Sequence, residues 1–245
     1  MSESSHRIRN HGVGELRVAK GLPLDGGAGS ADEAVPPNWL ALLERRLLRA
    51  PEHRREHWRM GGTELGPTPA MLACLESEPV AAAILLPLFD LDGVPHVLLT
   101  QRSPHLAHHA GQISFPGGRI ETHDTAPLAA AMRETAEEIG IDSHFVRPLG
   151  YLPDHLVLTG FRITPVVAWL ETGFVVNADT REVADVLSVP LQVICDRRRY
   201  QPSTRELRGF TVHAHDLLYG ERLIWGATAG MLLALRALLM DAADE

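Results

Sequence analysis

Three glutamates, Glu134, Glu137 and Glu138, follow Arg133 in the stretch RETAEEIG. At 100° per residue they share one face of a helix, with Leu128, Met132, Thr135, Ala136 and Ile139 on the other. Like charges at these spacings repel by a few tenths of a kcal/mol per pair. A divalent cation with oxygen ligands, Mg²⁺ or Mn²⁺, would offset that repulsion and would share its shell with substrate phosphates. Arg133 can pair with Glu137 one turn later and keep it ionised. Just upstream, Gly117 and Gly118 allow a close backbone approach, so the Gly117 carbonyl could complete a metal shell. A glutamate triplet on a helix is more often a solvated face, so the flanking residues must decide.

Those flanking residues carry phosphate-binding chemistry. The guanidinium fork of Arg102 can pair with a phosphate, and His109 can donate to one or orient a ligand. The run His105, His108, His109 raises zinc as an option, which the absence of a nearby cysteine disfavours.

Positioning these groups requires a defined set of elements. Residues 80–89, VAAAILLPLF, read as a continuous apolar strand, residues 90–93, DLDG, as a turn, and HVLLTQR from His96 as a second strand, which together make a hairpin. A short strand spans Ile113 to Phe115. The glutamate helix runs from Ala126 to Ile139, with Asp124 and Thr125 as cap candidates, Pro127 in its first turn and Gly140 at its end. Strands are expected near Leu149 and from Ile163, and a short helix from Glu182 to Val186. The apolar run from Ile224 to Met240 carries Arg236 and reads as a buried globular helix rather than a membrane span. Near the start, Asn38 caps an amphipathic helix through Trp39, Leu40, Leu43, Leu47 and Leu48 up to Pro51. Residues 1–36 read as a flexible lead without chemistry and residues 37–75 as a helical extension. There is no internal repeat. Strands mixed with a few helices, without a repeating strand-helix unit, suggest an α+β or mixed α/β sandwich.

Composition narrows the function classes. With 45% hydrophobic and 22% charged residues the chain is ordinary for a globular protein. A net charge of −8 lacks the broad positive field of a nucleic-acid binder but allows a local basic pocket. Cys74 and Cys195 fit neither a disulfide framework nor a metal cluster. The terminus MSESSHRIRNHG has no apolar signal core, from which a cytoplasmic location and no membrane partner are expected. A homodimer is left open.

The segment from Gly118 to Ile141 resembles the Nudix box, which ends R-E-U-x-E-E-x-G-U with U a bulky aliphatic residue. Gly118, Arg133, Glu134, Glu137, Glu138, Gly140 and Ile141 match, whereas Thr135 departs at the first aliphatic position. The gap before Arg133 is one residue longer than in the general box, so Glu121 and Asp124 both remain candidates for its first acid. That longer gap looks like the coenzyme A pyrophosphatase branch. LLTQRSPHLAHHAGQISFPGG, residues 98–118, is similar to that branch's signature LL(T/S)(Q/K)R(S/A)xxx(R/L)xHxGx(V/I)(S/A)FPGG, with Ala107 the departure.

The resemblance implies a Nudix-like α/β/α sandwich with a mixed sheet over residues 76–240. It implies Mg²⁺ or Mn²⁺ held by Glu134, Glu137, Glu138 and the Gly117 carbonyl, with Arg133 in support and Glu182 helping to activate water. Arg102, His109 and Gly111 would bind substrate, Arg102 being the residue expected to sense the 3′-phosphate of coenzyme A. The activity implied is hydrolysis of the pyrophosphate of coenzyme A or its thioesters. Two alternatives stay open: another nucleoside diphosphate derivative, such as a dinucleotide or ADP-ribose, and a silent nucleotide-binding regulator that would commonly have lost box glutamates.

Overall fold

A computed structural model of the chain describes residues 34–60, 62–63, 65–75 and 78–241. The expected flexible lead therefore lies outside the described residues except for residues 34–36. Val35 N–H donates to Gln192 Oε1 at 3.0 Å, so the chain is already on the body of the protein there.

The centre is a nine-stranded mixed sheet. Its spine is β2 (Val80–Leu91), whose side chains alternate between two cores. Ile84, Leu86 and Leu88 face one cluster, while Ala83, Leu85 and Phe89 face the other. The continuous apolar run is thus the signature of a strand covered on both faces. β2 turns into β3 (Val94–Arg102) through Asp92 and Gly93, both at positive φ, which is the geometry that matches hairpin twist. β4 (Ile113–Ser114) pairs with β3, and β5 (Gly117–Arg119) pairs with β2. On the other side β8 (Phe161–Leu170) runs parallel to β2 and carries β6 (Val146–Tyr151) and β7 (His155–Val157).

Helix α3 (Pro127–Ile139) covers one face of the sheet, and α1 (Trp39–Arg46), α4 (Leu191–Cys195) and α5 (Gly226–Met240) cover the other. The result is an α/β/α sandwich. The apolar C-terminal run is a globular helix whose Arg236 donates to the Cys195 carbonyl at 3.0 Å. Cys195 itself is buried, and burial pushes its thiol up to about 12.

Several local expectations are corrected. Residues 183–186 are not helical: β9 (Val183–Pro190) pairs with β3, because Val183, Val186, Leu187 and Val189 are β-rich apolar residues needed to continue the sheet. Glu182 precedes it in a turn. The N-cap of α3 is Ala126, with no side-chain cap, because Asp124 is engaged elsewhere. α1 stops at Arg46 rather than Pro51, since Leu48 exchanges backbone hydrogen bonds with Tyr151. The 37–75 segment is not purely helical. Besides α1 and α2 (Pro69–Ala73) it contributes β1 (Arg59–Met60), which pairs in parallel with β7.

A second sheet was not foreseen. β10 (Tyr200–Leu207), β11 (Phe210–Tyr219) and β12 (Arg222–Ile224) form an antiparallel meander. β10 buries Tyr200 and otherwise carries polar, exposed or half-buried side chains over most of its length, so it lacks the apolar alternation by which a strand is recognised. Arg222 fastens the meander to the main sheet by donating to Gln101 Oε1 at 2.8 Å and to Asp185 Oδ2 at 2.7 Å.

Candidate active site

Helix α3 buries Ala131, Thr135, Glu138 and Ile139 against the sheet, while Ala136 and Glu137 are exposed. The expected division of the helix into an acidic and an apolar face is therefore corrected at Glu138, which occupies a place in the buried stripe. Thr135 fits there because its hydroxyl donates to the Ala131 carbonyl at 2.6 Å.

Glu138 is 4% exposed. Its Oε2 accepts the Gly117 N–H at 3.2 Å, and its Oε1 lies 3.8 Å from the Arg102 guanidinium. Burial pushes its carboxyl up to about 7; the Gly117 N–H and Arg102 pull down, and the charges of Glu134 and Glu182 push up further. Glu134 is likewise raised, first by burial, with Arg133 opposing and Glu137 and Glu182 adding to the rise. The charge of Glu182 thus reaches both Glu134 and Glu138, whereas the Glu137 side chain is 60% exposed.

The glycine pair is explained by contact. A Cβ at Gly118 would overlap the Glu134 carboxylate, and one at Gly117, where φ is +148°, would overlap the Ala83 carbonyl across the β2–β5 pairing. Only glycines let the chain turn this close beneath the acidic helix.

Arg133 has more partners than the Glu137 expected from spacing. It donates to Glu137 Oε2 at 3.3 Å, to Glu134 Oε1 at 2.9 Å and to the Arg119 carbonyl at 3.1 Å. It also grips Asp124 with two nitrogens, at 3.2 and 3.0 Å. Asp124, held below the usual carboxylate range mainly by that pair, accepts the Glu121 N–H at 2.8 Å. Of the two first-acid candidates, Asp124 is therefore the one tied to the helix, as the brace of the loop leading into it.

Could these residues hold a divalent cation? The donors are all oxygen, as a hard cation requires. Glu138 is buried with a single hydrogen bond to one oxygen, which leaves its charge short of compensation. Among the described residues no three His, Cys, Asp or Glu side chains converge as they stand into a closed shell. The set fits a cation shared with substrate oxygens and water better than a closed protein cage.

Beside this face opens a cavity of about 480 Å³, within the range of small-molecule sites. Arg102, His109, Phe115, Gly117 and Gly118 line it from the main sheet and Val212 and Trp225 from the meander and its end. A register shift between Gln101 and Arg102 marks where β3 re-aims Arg102 toward it. The Arg102 Nε is buried without a hydrogen-bond partner among the described residues. His109, at φ +57°, donates from Nδ1 to Gln112 Oε1 at 2.9 Å. Gly111 does not line the cavity. It shapes the loop instead, its N–H reaching the Arg102 carbonyl at 3.2 Å and its φ being +71°.

The model of the NUDIX domain matches residues 78–207. The chain belongs to the Nudix family. Curated Nudix relatives include the uncharacterized Nudix hydrolase NudL of Escherichia coli strain K12, 38% identical over 62% of this chain and 78% of that protein. NudL of Enterobacter sp. strain 638 is 37% identical over the same shares. Among solved structures, the Nudix hydrolase RenU of M. smegmatis is 25% identical over 48% of this chain and 74% of its own, with a TM-score of 0.41. The Nudix domain of Shewanella oneidensis NrtR, in complex with ADP ribose, is 22% identical over 51% and 84%, with a TM-score of 0.37. The family match ends at residue 207, so β11, Trp225 and α5 complete the cavity from beyond it. Among the described residues no helix is long and apolar enough to cross a membrane.

Proposed function

We propose that this Nudix hydrolase splits the pyrophosphate of coenzyme A or its thioesters, releasing 3′-phosphoadenosine 5′-phosphate and (acyl-)4′-phosphopantetheine. The observation that supports this reading is the double use of residues 98–118. The segment that resembles the coenzyme A branch supplies Arg102, His109 and the 113–118 wall of the cavity, and the same wall meets the acidic helix at Glu138.

Mg²⁺ or Mn²⁺ carried by Glu134, Glu138, Glu137 and the Gly117 carbonyl would supply charge neutralisation on phosphate oxygens and a nucleophilic water. The protein's own groups do the rest. Arg102, held over Glu138 with its Nε unpartnered among the described residues, presents donors to the diphosphate oxygens. Arg133 holds Glu134 and Glu137 by ion pairs, opposes the burial that raises the Glu134 carboxyl, and binds the entry loop through Asp124. Glu182, whose charge is felt by Glu134 and Glu138, is the carboxylate outside the helix suited to accept a proton from water. The apolar cavity gives the pantetheine arm a water-poor seat.

The test is to incubate the purified protein with coenzyme A and Mg²⁺ and to identify the products by mass, alongside ADP-ribose and dinucleotides. Cleavage of coenzyme A that stops in excess chelator and returns with Mg²⁺ or Mn²⁺ is expected. Turnover of ADP-ribose or a dinucleotide in preference to coenzyme A would overturn the substrate, and full activity in chelator would overturn the metal.

A further inference from the structure

The cavity is bordered by four arginines, Arg102, Arg119, Arg205 and Arg208, in a chain whose net charge is −8. Two of them are already committed. Arg205 makes a bidentate pair with the buried Asp216, at 2.9 and 2.7 Å, and its guanidinium lies 4.8 Å from the Trp225 ring centroid. Arg102 stands over Glu138, where its reach is spent on the hydrolytic face. Arg119 and Arg208 have no carboxylate partner among the described residues, and both are exposed. They come from different sheets: Arg119 ends β5, and Arg208 forms the tip of the β10–β11 hairpin.

Arg208 also sits where an arginine is expensive. Arg208 and Gly209 make a two-residue turn with φ of +48° and +79°, a geometry that asparagine or aspartate tolerates better at the first position. Backbone conformations of that kind outside glycine point to a use for the side chain. The Arg119 guanidinium lies 5.5 Å from the Phe161 ring centroid, and Phe161 lines the same cavity, so an aromatic face and two unpaired cations border it together.

We infer that Arg119 and Arg208, rather than Arg102, form the subsite for a terminal phosphomonoester on the nucleoside half of the substrate. The inference rests on the coenzyme A reading, in which that group is the 3′-phosphate. Two guanidiniums without acidic partners can each donate to a dianionic phosphate at little cost in broken ion pairs, whereas a diphosphate bridging to the acidic helix is served by Arg102.

Two measurements separate this subsite from the reaction. The first is kcat/KM for coenzyme A and for dephospho-coenzyme A in the wild type, Arg208→Asn, Arg119→Gln and Arg102→Ala. Asparagine suits the turn, so Arg208→Asn keeps the hairpin. The wild type is expected to prefer coenzyme A by about tenfold to a hundredfold, the scale of a charged hydrogen bond or two. Arg208→Asn and Arg119→Gln should each collapse that ratio, and Arg208→Lys should restore part of it, while Arg102→Ala should lower both substrates and keep the ratio. A ratio unaffected by both rim variants, or collapsed only by Arg102→Ala, overturns the assignment. The second measurement is equilibrium binding of adenosine 3′,5′-bisphosphate against adenosine 5′-monophosphate, which needs no turnover. Tighter bisphosphate binding that Arg208→Asn and Arg119→Gln abolish supports the subsite even if coenzyme A proves not to be cleaved, a result that would sink the substrate reading alone. Equal affinity for the two nucleotides in the wild type overturns the subsite whatever the enzyme hydrolyses.

Discussion

Glu138 occupies a position in the buried stripe of α3 that an aliphatic residue would fill at no electrostatic cost, with the Gly117 N–H its one hydrogen-bond partner among the described residues and the Arg102 guanidinium 3.8 Å away. A carboxylate kept there against its desolvation needs a charged ligand to justify the site. Glu137 shares the helix but is exposed and already paired with Arg133. The two should therefore respond unequally to the same change. Glu138→Gln keeps volume and removes the charge, and kcat is expected to fall by about a hundredfold or more, the scale of losing a principal charge-stabilising group. Glu137→Gln should cost markedly less at saturating Mg²⁺. Steady-state kinetics on both variants, with circular dichroism to confirm folding, provide the check; equal losses would mean that Glu137 turns inward when substrate binds.

Among the elements, the segment before the hairpin is held by one buried acid. Asp154 is fully buried and accepts from Thr164 Oγ1 at 2.7 Å, from Arg162 at 3.1 Å and from His53 Nδ1 at 2.7 Å. The Asp154 carbonyl also accepts the Arg59 N–H at 2.7 Å, which helps set β1 beside β7. This small network joins the 48–60 stretch to the main sheet, and Met60 reaches the cavity from it. Asp154→Asn leaves Arg162 without its counter-charge, a change that typically costs about 3–5 kcal/mol for a buried pair. At about 2–4 °C per kcal/mol for a chain of this size, the melting temperature should drop by about 10 °C. A shift within a degree or two in thermal unfolding would show the network to be dispensable.

For the whole molecule, the described body begins by residue 34 and every proposed contact lies beyond it. Removing residues 1–33 is expected to leave kcat and KM within about twofold, because every residue proposed for the site lies at or beyond Arg102. A folded but inactive truncation would place part of the site in that segment. Global stability should also fall in mild acid through His155. This side chain is wholly buried, hydrogen-bonds through Nδ1 to the Pro153 carbonyl at 3.0 Å, and burial lowers its pKa to about 4. Because the folded value lies below the unfolded one, the unfolded chain takes up the proton first as pH falls. The contribution is present above about pH 6.5 and is lost progressively down to about pH 4, amounting to up to about 3 kcal/mol. Melting curves at pH 7, 5.5 and 4.5 should show a steeper decline for the wild type than for His155→Gln, and parallel declines would remove His155 from the account.

What the sequence determined by itself was local and periodic: the apolar run of β2, the Asp-Gly turn, the glutamate helix closed by Gly140 and the glycine pair before it all follow from side-chain spacing and backbone sterics. The family and the acidic helix were legible for the same reason, since both lie within a continuous stretch of chain. Tertiary structure alone decided which carboxylate is buried, because that depends on how α3 rolls against the sheet rather than on its own period. It also made β9 a strand, where pairing with β3 overrode a short helical reading, and it turned Asp124 from a cap into the partner of Arg133. Arg119 and Arg208 lie far apart in the sequence, in segments that carry little pattern of their own. They border one cavity only because the meander folds back over the main sheet, through contacts such as Arg222 to Asp185 that no local spacing encodes.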